Sequence, residues 1–127
     1  MSRTRYRIGK DHCPYFMTST IVAWLPIFSR PETVEIIFNS WRYLQANRGL
    51  ILFGYVIMEN HLHFIASSGD LSKDVQNIKS FTARQIIDYL ALRHAETILQ
   101  ELRYHKLRHK VESTYQLWQE GSHPKRS

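Results

Sequence analysis

The chain holds a single cysteine, Cys13, so no internal disulfide can form and nothing argues for an oxidising compartment. Cys13 reads as a small, partly buried residue. No charged N-terminal stretch leads into an apolar core of the kind that marks a secretory leader. The longest apolar run, Leu50 to Met58, is far too short to cross a bilayer. Repeats, low-complexity tracts and linkers are also missing, so residues 1–127 are expected to form one domain. A chain of this size can bury roughly two-thirds of the surface its unfolded form exposes. The expectation is a soluble cytoplasmic protein with no membrane partner.

Acid is missing from the first ten residues and scarce in the last twenty-six. Residues 1–10 carry Arg3, Arg5, Arg7 and Lys10 with no acid. Residues 102–127 carry Arg103, Lys106, Arg108, Lys110, Lys125 and Arg126 against Glu112 and Glu120. Each end therefore holds +4, and the middle holds −2, within a net charge of +6. Basic ends around a near-neutral body suit a polyanion, because clustered Lys and Arg release phosphate counterions on binding. Charge alone leaves open that the termini only confer solubility.

Hydrophobic periodicity supplies the elements. The run from His12 to Ile27 is rich in β-branched and aromatic residues and reads as a strand bounded by Pro26. From Pro31 to Asn47, Val34, Ile37, Phe38, Trp41 and Leu44 share one helical face. Pro31 suits the first helical position, Glu32 suits the dipole, and Gly49 is a stop. Leu50 to Met58 and His61 to Ser67 form a hairpin around Glu59-Asn60, with Asn60 suited to a positive φ. Leu71 to about Arg93 is helical, with Leu71, Val75, Ile78, Ile86 and Tyr89 on one face. Helical pattern resumes from about Glu96 to Lys110, and Tyr115 to Trp118 reads as a last strand. This order predicts an α+β fold of the ferredoxin-like βαββαβ kind, an antiparallel sheet with two helices on one face.

His61 and His63 stand two apart on a strand, so their side chains share a face, while Leu62, Phe64 and Ala66 point into the core. Imidazole is a good ligand for divalent metals, and an ion held by two histidines keeps positions open for phosphate oxygens. Spacing alone leaves a second reading, two exposed histidines bound to nothing, since no third ligand is visible.

The string Gly54-Tyr55-Val56-Ile57-Met58-Glu59-Asn60-His61-Leu62-His63-Phe64-Ile65 resembles the HUH motif of the single-tyrosine transposases, particularly the branch associated with repetitive extragenic palindromes. His12 to Phe28 resembles the first strand of that family, and Gln116 to Pro124 resembles the segment before its C-terminal helix. The resemblance implies a DNA transposase-type endonuclease that binds single-stranded DNA carrying a hairpin. It implies cleavage through a tyrosine linked to the 5′ phosphate, with His61 and His63 as catalytic ligands of Mg²⁺ or Mn²⁺. The family includes dimers whose active sites combine subunits, so a homodimer is an open expectation.

In the family the nucleophile lies on a helix beyond the segment that Gln119-Glu120-Gly121 resembles, and the sequence stops at Ser127. The expectation is therefore a domain without that helix, and a hairpin-binding module without chemistry is the alternative. Tyr115 and Gln119 imitate the spacing of tyrosine and polar ligand, but packing is the favoured role for Tyr115. Tyr89 falls on an apolar helix face, and Tyr104 lies in a basic stretch. For DNA, Trp118 is a candidate stacking platform with a core role as its rival. Gln119, His123, Lys125 and Arg126, with Arg103, Lys106, Arg108 and Lys110, are candidate phosphate contacts. For the last four a solvated helix surface is the competing reading.

Overall fold

A computed structural model describes residues 12–106, 113–120 and 125–126. The protein is α+β. Strand β1 (Tyr15–Thr20) leads through two tight turns to helix α1 (Pro31–Asn47), then β2 (Ile51–Ile57) and β3 (His61–Ser67). Helices α2 (Leu71–Leu92) and α3 (Glu96–Tyr104) follow, and β4 is the two-residue segment Lys125–Arg126. All neighbouring strands are antiparallel, in the order β2-β3-β1-β4.

Local signals account for the boundaries. Pro31 stands in the first turn of α1 beside Glu32, and Gly49, at φ 69°, turns the chain out of it. The Asp70 side chain caps α2 by accepting from the Lys73 N–H. The alternation along β1 buries Tyr15, Met17 and Ser19 and leaves Phe16, Thr18 and Thr20 half-exposed.

Register decides which residues meet. Met17 pairs with Phe64 and Tyr15 with Ala66, so these side chains line one face of the sheet with Leu62. Onto that face pack Ile37, Trp41 and Leu44 of α1 and Leu71, Val75, Ile86 and Leu90 of α2. Trp41 lies 5.2 Å from the Phe64 ring and 5.3 Å from Tyr55. Each such apolar side chain contributes about 1.5–3 kcal/mol on burial. Both helices thus cover one face, and a shallow cleft between them is lined by Ser19, Trp41, Leu62, Val75, Thr82 and Trp118. At one end, buried Asp74 of α2 accepts from Arg48 Nε at 2.9 Å and from Ser68 Oγ at 2.8 Å, tying α1, β3 and α2 together.

Four expectations change. The strand expected over His12 to Ile27 ends at Thr20, because Ala23 (φ 58°) and Trp24 (φ 56°) take left-handed backbone and turn the chain. Asn60 is not among the described residues of positive φ; the hairpin closes instead through the Met58 N–H on the His61 carbonyl. Tyr115 to Trp118 is not a strand: Trp118 makes one bridge to Ile21, and the strand beside β1 is Lys125–Arg126. The third helix ends at Tyr104, and the expected continuation toward Lys110 lies outside the described residues. Among the described residues no helix is long and apolar enough to cross a membrane.

Candidate functional site

The sheet face away from the helices carries His61 and His63, two residues apart on β3 and 4.9 Å between ring centroids. Each imidazole is oriented through its Nδ1. His61 Nδ1 lies 2.7 Å from Asn60 Oδ1, and His63 Nδ1 lies 2.9 Å from Thr18 Oγ1. Asn60 Oδ1 can only accept, so this contact is made by an Nδ1–H of His61, which in the neutral ring leaves the lone pair at Nε2. Thr18 reaches His63 because β1 pairs with β3 in the register Thr18↔His63. Both partners hold ring orientation, as they do for ligating histidines generally, whereas the Thr18 hydroxyl can donate to or accept from His63 Nδ1 and so allows either tautomer there.

Two more rings extend the pair into a row. Trp24 stands edge-on to His61 at 5.8 Å, and Phe16 stacks on His63 at 5.3 Å with 19° between planes. Trp24 is held there by a turn whose two central residues, Ala23 and Trp24, both have positive φ, a geometry usually given to Asn-Gly. That turn is closed by Leu25 N–H on the Val22 carbonyl and anchored by Val22 N–H on the Leu117 carbonyl. The hairpin tip is clamped from the same segment, with Ile21 and Phe28 N–H groups on the carbonyls of Asn60 and Glu59. Strands β1, β2 and β3 contain no Asp or Glu, and β4 is Lys-Arg, so no strand of the sheet carries an acidic side chain.

The expected metal pair is thus brought together, but among the described residues no group of three His, Cys, Asp or Glu side chains is placed to hold an ion. Expected DNA contacts fall differently. Trp118 is a core residue: 9 % exposed, it donates from Nε1 to Thr82 Oγ1 at 3.2 Å and packs on Phe28. Of the two readings offered for Trp118, its burial favours the core role over stacking. Gln119 is exposed, with its N–H on the Thr20 carbonyl, and Arg103 is exposed in the last turn of α3. Lys106 is half-buried. Arg108, Lys110 and His123 lie outside the described residues, and for Lys125 and Arg126 the backbone pairing with Phe16 and Tyr15 is what is described.

Five of the described tyrosines, Tyr43, Tyr55, Tyr89, Tyr104 and Tyr115, do not converge on the pair. Tyr89 donates to Glu32 at 3.0 Å, Tyr115 packs against the core, Tyr55 packs on Trp41, and Tyr43 and Tyr104 stand exposed. No hydrogen bond or ring contact joins any of these five to either imidazole.

Trp24, Phe16, Thr18 and the Asn60 side chain were not read from the sequence as parts of the site. Phe16 and Thr18 share a strand face by alternation, yet only the register of β1 against β3 brings them to His63. Trp24 carries no local signal, since its turn lacks the Gly or Asn that announces positive φ. No protein-family model matches the chain, and no curated protein matches it.

Proposed function

We propose that this chain is a transposase-type domain that binds hairpin-forming single-stranded DNA across the open face of its sheet, with His61 and His63 as two ligands of a divalent ion. One observation carries the reading: two adjacent imidazoles, each fixed through Nδ1, with no partner among the described residues at Nε2. The pair fits a Mg²⁺ or Mn²⁺ ion as two nitrogen donors, with the remaining positions left to phosphate oxygens, water or a further ligand. Bound there, the ion would polarise a scissile phosphate and steady the leaving oxygen. The chain's own part is to hold the two donors rigid, through Asn60 and Thr18, on a sheet face free of acid. The order β2-β3-β1-β4 and the helices on one face support the finer ferredoxin-like reading. Basic residues at both ends supply sequence-independent attraction for a polyanion.

Placement of the tyrosines favours a second reading, a hairpin-binding module without chemistry, because none of the five above contacts the pair. One experiment separates the two. The protein is incubated with labelled, hairpin-ended single-stranded DNA and Mn²⁺, then run on denaturing and native gels. A covalent adduct places the nucleophile within residues 1–127, with Tyr115 first to be substituted. Retention on the native gel without an adduct identifies the binding module. Replacing His61 and His63 together by Ala is expected to lower Mn²⁺ affinity by at least about a hundredfold, the upper end of the loss for a supporting partner alone. Unchanged Mn²⁺ binding by calorimetry removes the metal assignment.

A further inference from the structure

Trp24 is 60 % exposed, whereas Trp41 is 3 % and Trp118 9 % exposed. An indole is the largest apolar side chain, and leaving it in water while holding it in one place needs a reason. It is held: Ala23 and Trp24 occupy consecutive left-handed conformations, which L-residues adopt at a cost of about 1–2 kcal/mol each. Backbone strain of this kind persists where the surroundings over-determine it, and it clusters at ligand sites. The strain here sets the indole against His61 at 5.8 Å, at the end of the row Trp24, His61, His63, Phe16.

We infer that Trp24 is a stacking platform for one nucleobase of single-stranded DNA, the base next to the phosphate that His61 and His63 engage. This rests on the reading of the open sheet face as a DNA surface. The occupant follows from chemistry on that face. A flat, exposed aromatic ring accepts an unpaired base of any identity by stacking. Strands β1, β2 and β3 carry no Asp or Glu to repel a phosphate backbone. The neighbouring imidazoles present nitrogen to a phosphate-bound ion rather than an apolar wall, so the row combines a base contact and a backbone contact within one nucleotide's reach. A protein surface docking on Trp24 would instead have to bury both histidines. Recognition of this type is tolerant of sequence, with selection resting on a base being unpaired.

Because Trp41 and Trp118 are buried and closed to an added base, a DNA-dependent change in indole emission comes from Trp24, and Trp24→Ala supplies the background of the other two. Titrating the protein with hairpin DNA bearing a single-stranded flank is expected to quench that emission. In Trp24→Ala the quench disappears and DNA binding, followed by anisotropy, weakens about tenfold, whereas Trp24→Phe stays within about threefold of the parent. Mn²⁺ affinity is unchanged in both, and far-UV circular dichroism confirms that both are folded. One abasic position in the flank abolishes the difference between parent and Trp24→Ala. The inference is overturned if Trp24→Ala binds DNA as the parent does, or if its Mn²⁺ affinity falls in step, which would make Trp24 a positioning residue for His61. It is equally overturned if the parent is a dimer that Trp24→Ala dissociates, since a second copy then covers the indole. DNA binding by the parent without quenching removes this inference alone; no DNA binding by the parent removes the DNA reading beneath it.

Discussion

Asn60 and Thr18 show how far a single side chain carries. Both histidines were legible from their spacing on a strand, but spacing does not fix a ring. Rotation about the Cβ–Cγ bond is stopped by Asn60 Oδ1 at 2.7 Å and Thr18 Oγ1 at 2.9 Å, and only the first of these is a sequence neighbour of its histidine. Replacing Asn60 by Ala leaves both donor nitrogens in place and frees one ring. Mn²⁺ affinity is expected to fall about 10–100-fold, with little change in thermal stability, since Asn60 is half-exposed. Calorimetric titration beside a melting curve checks this. A large drop in the melt would make Asn60 a fold residue rather than a ligand support.

Among the elements, helices were read best. The boundaries of α1, Pro31–Asn47, followed from a proline, an apolar stripe and a glycine, each acting within one turn. The first strand was read too long because Val22, Leu25 and Ile27 carry strand-like chemistry, while the turn between them is imposed by contacts with Leu117, Asn60 and Glu59. That turn supplies a test of strain. Ala23→Gly removes the Cβ penalty at φ 58° but adds chain entropy to the unfolded state. The net is a gain of up to about 1 kcal/mol. Urea unfolding is expected to shift to a higher midpoint without a change in slope. A lower midpoint would show that the left-handed backbone is not strained there.

At the scale of the whole molecule, the segment around Trp118 closes the structure. It bridges to Ile21, bonds Thr82 of α2, and lies with its ring 5.9 Å from Lys79 Nζ. Burial in this layer pushes the Lys79 ammonium below its ordinary 10.5, with Glu120 opposing the shift. A lysine lowered in the folded state binds fewer protons there than in the unfolded chain. Stability therefore rises with pH from the lowered value up to 10.5 and is reduced below that window. Lys79→Met is expected to lose this alkaline rise and to match or exceed the parent at neutral pH, read from denaturation midpoints between pH 7 and about 10.5. A parent without the rise would place the ammonium in water.

The sequence by itself determined the α+β class, both long helices, the hairpin and the shared face of His61 and His63. These depend on periodicity, caps and turns, which act between residues close in the chain. Only tertiary structure decided that Thr18 meets His63, that Trp118 is buried while Trp24 is exposed, and that the strand beside β1 is Lys125–Arg126. Each depends on pairing register or on packing between distant segments, and the same local sequence is compatible with several registers until the core selects one.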